Sequence, residues 1–274
     1  MKIPKFSINQ MDSGEINIIP VLDINGNANM DDVDMPNTLP ILALRDAVLF
    51  PGAILPITVG REKSLRLVKA LHKSSNIIGT VTQKDAVVEE PVKDDLFHIG
   101  TCARIVRVLE MPDGAYTVIL QGIKRFSLDS IIAEEPYLIG TVTYREDLLN
   151  DTQNVVEPLM SSIKDAALYV IKMTPHMPQE TAMAIKGIGD IKFLVNMIST
   201  NLDNDLTPDK LDILQADDII TRGYKLLGAL NKQVEILKIK DDIQQKVKTE
   251  IDQQQREYYL NNQLKTIQEE LGMD

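Results

Sequence analysis

Tryptophan is absent from this 274-residue chain, and Phe and Tyr together make up 4% of it. A protein that grips single-stranded nucleic acid needs aromatic platforms for the bases to stack on, and they are missing. The charge points the same way. With 29 Lys and Arg against 40 Asp and Glu, the net charge is −11, which disfavours phosphate backbones and anionic membranes alike. Cysteine occurs once, at Cys102. A lone thiol makes no internal disulfide and holds no zinc unaided; in a strand-like stretch it reads as a small buried hydrophobe, and so sparse a usage fits a reducing compartment. The three histidines, His72, His98 and His176, are scattered without local partners, so no metal site is expected. No apolar run approaches the ~20 residues that span a bilayer, and Met1-Lys2-Ile3-Pro4-Lys5 is no secretory leader. A cytoplasmic protein is expected.

Catalytic motifs are also lacking. There is no Gly-x-x-x-x-Gly-Lys-Ser/Thr phosphate loop, no Gly-x-Ser-x-Gly elbow and no His-Glu-x-x-His. Gly187-Ile188-Gly189 leads into Asp190-Ile191, which completes no phosphate-binding pattern and reads as a helix terminator. The carboxylates lie outside apolar stretches that would raise their pKa for acid–base work. No catalytic, cofactor-binding or metal-binding residue is assigned.

What is present divides the chain into four parts. Residues 1–37 hold Asn25-Gly26-Asn27 and Asp31-Asp32-Val33-Asp34 without sustained period and read as a mobile tail. Residues 38–148 carry short apolar runs between turn residues. Leu39–Leu44, Ala53–Val59, Ile77–Gln83, Ile99–Leu109, Tyr116–Gln121 and Leu138–Tyr144 read as strands, with a hairpin turn at Met111-Pro112-Asp113-Gly114 and one helix over Arg61–His72. Many strands and one covering helix predict a closed or nearly closed β-barrel. Residues 150–225 turn helical. Leu159, Ile163, Ala166 and Val170 form one stripe, Pro178 starts a second helix, Asp190 caps a third, and Thr207-Pro208 looks like the cap and first residue of a fourth. Residues 226–274 form a long helix. From Ala229 to Leu271 there are 43 residues without glycine or proline, roughly 65 Å of continuous helix. Its apolar stripe is thin and breaks register near Asp241-Asp242, as on a partly exposed helix or a short coiled coil.

Two features offer binding. Leu49-Phe50-Pro51-Gly52-Ala53-Ile54 is an apolar loop where a polar one is usual; it either presents Leu49, Phe50 and Ile54 to a partner or plugs the end of the barrel. The helical part is rich in methionine (Met160, Met173, Met177, Met183, Met197), a flexible side chain suited either to adaptable binding surfaces or to core filling. On the long helix, Tyr258 and Tyr259 join Met173 and Met177 as candidate partner contacts.

Several stretches resemble one family. Leu39-Pro40-Ile41-Leu42-Ala43-Leu44-Arg45-Asp46-Ala47-Val48-Leu49-Phe50-Pro51-Gly52, then Val59-Gly60-Arg61-Glu62-Lys63-Ser64, Gln83-Lys84-Asp85 and Ile99-Gly100-Thr101-Cys102-Ala103-Arg104-Ile105 look like the opening of the Lon N-terminal domain. Gln255-Arg256-Glu257-Tyr258-Tyr259-Leu260-Asn261-Asn262-Gln263-Leu264 and onward to Gly272 resembles the segment leading into the Lon ATPase module, although Asn261-Asn262 stands where many relatives carry an Arg-Glu pair. The resemblance covers about residues 39–272. It implies an α+β architecture: a PUA-like β-barrel, a small α-helical bundle and a long C-terminal helix. It further implies a place in a homohexameric, ATP-dependent serine protease that degrades misfolded, damaged and short-lived regulatory proteins. In such a parent, ATP and Mg2+ and a Ser-Lys dyad would belong to modules beyond Asp274, and this region would take unfolded or degron-bearing protein substrates. A stand-alone adaptor and a coiled-coil scaffold are the competing readings.

Overall fold

The computed structural model describes residues 35–71, 76–111, 115–149, 154–174 and 179–270. The predicted tail falls almost wholly outside these, as do Pro112-Asp113-Gly114 of the hairpin turn, His72, His176, Met177 and Pro178.

Six strands, β1 (Thr38–Leu44), β2 (Ile54–Val59), β3 (Ile77–Gln83), β4 (Leu96–Glu110), β5 (Tyr116–Ala133) and β6 (Ile139–Tyr144), form one sheet in the order β2-β5-β4-β3-β1-β6. β6 also pairs with β5, so five strands close into a ring. β5 makes the closure possible by its length: Tyr116–Gln121 pairs with β2, while Phe126–Ala133 pairs with β6 along the same strand. Every pairing is antiparallel except β1 with β3. Closure removes most exposed strand edges, which would otherwise invite aggregation.

Strand alternation sorts the core into two clusters. On β1, Leu39 and Ile41 join Val81, Cys102, Phe126, Leu128 and Val142, whereas Leu42 and Leu44 join a larger cluster. That larger cluster runs from the barrel through Val48, Leu49 and Phe50 into the helices, reaching Ile163, Leu194, Ile213 and Leu226. The barrel and the bundle therefore share one apolar core. Helix α1 (Glu62–Leu71) buries Leu67, Val68 and Leu71 against it.

The bundle comprises α2 (Val156–Met173), α3 (Gln179–Gly187), α4 (Ile191–Thr200) and α5 (Thr207–Gln215), followed by α6 (Ile219–Glu270). Asp190 caps α4 by accepting from the Lys192 N–H at 3.0 Å. Thr207 is the first residue of α5 rather than its cap; its hydroxyl donates to the carbonyls of Asn204 and Asp46. The long helix begins earlier than its glycine-free stretch suggests. Asp218 caps it, its carboxylate accepting from the N–H and hydroxyl of Thr221 at 2.9 Å each, and the helix continues through Gly223 and Gly228.

These two glycines differ. A Cβ on Gly223 would lie 2.7 Å from Leu159 Cδ2 on α2, whereas one on Gly228 meets nothing within 4 Å. Gly223 thus permits the close approach of α6 to α2, and Gly228 only adds helix entropy cost. Gly228→Ala should stabilise the protein by about 1 kcal/mol, and Gly223→Ala should destabilise it by about 1–3 kcal/mol through overpacking. Urea unfolding of the two variants measures both.

Candidate functional site

The two largest fully buried side chains among the described residues are arginines, Arg125 on β5 and Arg222 on α6. Asp147, just after β6, joins them. Its Oδ1 accepts from Arg125 Nε at 2.8 Å and from Arg222 Nη1 at 3.0 Å. Arg125 finds an acceptor for each of its five donors: besides Asp147, Nη1 donates to the carbonyls of Leu214 and Ala216 at 2.8 and 2.9 Å, and Nη2 to the Glu146 carbonyl and Asp217 at 3.0 and 3.5 Å. Arg222 Nη2 donates to Asn196 on α4. Arg145 binds the other oxygen of Asp217 at 2.6 Å. Burial lowers the Arg222 pKa to about 10, against the opposing pull of Asp147, so the group stays charged at neutral pH. One polar node therefore ties β5, the strand exit, α4, the end of α5 and α6 together.

Beside the node, Leu148 donates to the Asp217 carbonyl and accepts from the Ile219 N–H, at 3.0 and 2.8 Å. This pairing joins the end of the barrel to the start of the long helix. The node thereby sets the direction in which α6 leaves the body.

At about 1.5 Å per residue, the 52 residues of α6 extend roughly 78 Å. Its first turns bury Leu226, Ala229 and Leu230, and Lys238 makes a late contact with the body, lying 5.4 Å from the Tyr169 ring on α2. From Lys238 to Gln268 no side chain is buried. Side-chain bonds one turn apart, Gln245 to Asp241 and Gln253 to Glu257, support this stretch. Ile236, Ile239, Ile243, Val247 and Ile251 are all exposed. At about 100° per residue they share an arc of about 120°. Leu260, Leu264 and Ile267, also exposed, share a second arc rotated about 110° from the first. The register change foreseen at Asp241-Asp242 is the passage from the bundle-facing residues to this outer stripe, which starts before it, at Ile236.

The predicted contact residues separate. Leu49 and Phe50 are 2% and 0% exposed and offer no face to a partner. Thr101 donates to the Leu49 carbonyl at 2.6 Å, and Gly52, with φ of 77°, packs beside Phe193 of α4. The plug alternative describes this loop: it seals the barrel against the bundle. Ile54 is half-buried in the β2–β5 ladder, opposite Gln121, and Met173 is half-buried at the end of α2. Tyr258 and Tyr259 are exposed, at 71% and 61%. Among the methionines, Met160 is core, Met197 is half-buried and Met183 is exposed. The stripe from Ile236 to Ile251 was in the sequence as an apolar i, i+3, i+4 pattern, but only its exposure among the described residues marks it as a surface.

Two buried titratable groups complete the electrostatics. Burial pushes the Cys102 thiol up to about 11, partly offset by the Tyr144 hydroxyl 3.8 Å away, so it is no nucleophile at neutral pH. Lys210 is 2% exposed, and burial lowers its pKa to about 8, with Asp203 opposing. Among the described residues no group of three His, Cys, Asp or Glu is placed to hold a metal ion, and no helix is long and apolar enough to cross a membrane.

A five-strand ring fused through a shared core to a helical bundle, with a projecting helix, is the architecture of this chain. Comparison with known proteins identifies it further. Residues 38–232 match the family model of the ATP-dependent protease La (LON) substrate-binding domain, and the chain belongs to that family. It is 41% identical to Lon protease of Flavobacterium johnsoniae over 273 residues, 99% of this chain and 33% of that protein. Lon protease of Cytophaga hutchinsonii is also 41% identical, over 96% of this chain and 32% of the relative. The chain thus spans about a third of the length of these relatives. The N-terminal domain of Mycobacterium avium complex Lon protease shares its fold, with a TM-score of 0.58 at 17% identity, over 71% of this chain and 98% of that one.

Asp147→Ala leaves two buried guanidiniums without their shared carboxylate. It should cost about 3–5 kcal/mol of stability in urea unfolding, far more than a similar change at the exposed Asp212–Lys225 pair. Lys210 makes a pH-dependent prediction. Its folded pKa lies below its unfolded one, so between about pH 8 and 10.5 the unfolded chain binds more protons. Stability contributed by this residue therefore rises with pH across that window, and the charge penalty is full below it. Lys210→Met should be more stable than the parent by about 1–3 kcal/mol at pH 7, and the advantage should shrink as pH rises from 8 to 10.5; thermal melts at several pH values measure it.

Proposed function

We propose that this chain is the substrate-recognition and assembly region of a Lon-type protease, holding unfolded or degron-bearing polypeptides while ATPase and Ser-Lys peptidase modules of a longer parent do the chemistry. The family match supports the class of activity. The observation that carries the surface assignment is the solvent-facing stripe Ile236, Ile239, Ile243, Val247 and Ile251 on a helix that projects from a rigid body. Contiguous exposed apolar surface rimmed by charge marks an interaction site, and the register change along α6 turns its outer half to a second direction.

ATP and Mg2+ are part of this proposal for the parent, which we take to be a hexamer in the cytoplasm. The family match to the ATP-dependent protease supports the nucleotide, and the single buried cysteine fits a reducing compartment. The stand-alone adaptor reading gains nothing from the relatives, each about three times the length of the matched part. The scaffold reading rests on the same stripe, as a helix-pairing seam.

Ile243→Asp combined with Val247→Asp leaves the body intact, since both residues are exposed. The double variant should bind a reduced, carboxymethylated unfolded protein at least about fivefold more weakly, by fluorescence anisotropy, without a change in melting temperature. Unchanged binding, together with photo-crosslinkers at 243 and 251 that never label the unfolded protein, would defeat the assignment. Sedimentation of the parent chain distinguishes the scaffold reading: a stable dimer abolished by the same pair of substitutions would make the stripe an assembly surface.

A further inference from the structure

The barrel is not closed everywhere. β6 pairs with β1 only over Thr38–Pro40, and β2 pairs with β5 alone. Between Leu42–Leu44 of β1 and Pro56–Val59 of β2 the two strand edges face each other without a strand between them among the described residues. A cleft of about 350 Å³ occupies this seam, within the size range of small-ligand sites. Its wall includes Ala43, Pro56 and Ile57, and its end is formed by Arg45, Arg61 and Ser64, where α1 begins.

The charge at that end is unevenly paired. Four cations cluster on this face with four carboxylates, Glu62, Glu89, Glu90 and Glu135. Lys63 binds Glu90 and Glu135, Arg66 binds Glu62 and Glu135, and Arg45 binds Glu89 at 2.8 Å. Arg61 has no carboxylate within ion-pair distance among the described residues. Its Nη2 donates at 2.6 Å to the neutral amide oxygen of Gln83. Burial first, then the neighbouring Arg45, lowers its pKa, with Glu89 opposing. In a chain of net charge −11, an arginine kept partly buried beside another arginine and given only an amide is a site prepared for an incoming anion.

We propose that the β1–β2 seam binds the carboxyl end of an extended polypeptide, with the Arg61 guanidinium, supported by Arg45, taking the terminal carboxylate and the Ala43–Pro56–Ile57 wall taking the last side chain. This rests on the reading that the chain holds protein substrates, and it assigns one chemical class to a site away from the α6 stripe. An apolar wall beside a paired cationic end suits a peptide terminus, which carries an apolar side chain and a carboxylate on the same residue; free phosphate or a nucleic-acid backbone would leave the wall unfilled. Pro56 has no N–H to offer on β2, so ladder pairing falls to the β1 edge and the carboxylate contact carries the specificity. Glu89 is 75% exposed, and a solvent-exposed ion pair is weak enough to yield to the ligand.

The test uses the full chain and fluorescein-labelled decapeptides ending in Ala-Leu, as free acid and as C-terminal amide, read by anisotropy. The free acid should bind at least about tenfold more tightly than the amide. Arg61→Gln should abolish the preference, and Glu89→Gln should tighten the free acid severalfold while leaving the amide unchanged. The second variant keeps the test decisive should Arg61→Gln lose structure through its Gln83 contact. Equal binding of acid and amide, or no response to Glu89→Gln, would overturn the proposal. Binding of the carboxymethylated protein through the α6 stripe is measured in parallel. Its retention beside equal acid and amide binding sinks the seam alone, whereas its loss sinks the broader reading.

Discussion

The shared carboxylate of Asp147 holds this molecule in its working shape. A shared apolar core fuses the barrel to the bundle, but contact of that kind is non-directional. Hydrogen bonds with fixed directions are not. Arg125 reaches from the barrel to the last carbonyls of α5, and Arg222 reaches from the first turn of α6 to Asn196 on α4. Both meet at Asp147. Replacing such a node by apolar residues can leave stability unchanged, so its value here lies in orientation. A helix extending roughly 78 Å magnifies any error at its base, and a tilt of a few degrees at Arg222 displaces its far end by several ångströms.

The exposed stripe follows from that arrangement. A helix that is polar all round past Lys238 would be stable through its i, i+4 pairs and would serve only as a spacer. Five β-branched aliphatic side chains facing solvent in sequence cost solubility and bring no folding benefit to this chain. Four of the five lie beyond Lys238, the late contact with the body, on a helix whose direction the node fixes. On the proposed function, holding a polypeptide at a defined distance from the body would require both exposure and a fixed direction.

Much of this was legible in the residues, for identifiable reasons. The strands showed themselves by alternation, and the long helix by the absence of glycine and proline after Ala229. Where the reading stopped short, tertiary context had overridden a local rule. β5 was expected to end at Gln121 but runs to Ala133; the charged Lys124-Arg125 pair lies within it, with Arg125 buried among acceptors supplied by residues about 20 and 90 positions away. α6 was placed too late because the glycine-free stretch opens only at Ala229, whereas the helix runs through Gly228 and Gly223, and Gly223 lets α6 lie against Leu159. The Leu49–Ile54 loop could not be assigned to surface or core from its composition. Its burial comes from a core shared with the distant helices, where Phe193 lies beside Gly52. Charge partners and close approaches are pairwise facts that no periodicity encodes.

The same limit explains why the seam was invisible in the sequence and why it differs in kind from the stripe. The stripe is a local pattern of one helix, and on the proposed function it would accept many apolar partners. The seam depends on two strand edges brought together by closure elsewhere in the ring, and on an arginine whose carboxylate partner is withheld. Such a site discriminates by a single charge at a fixed place. A region that combined them would accept unfolded chains broadly along α6 and register a chain end at the barrel. Because the Asp147 node fixes the angle between the two, the distance from chain end to stripe would be set by the fold rather than by the substrate.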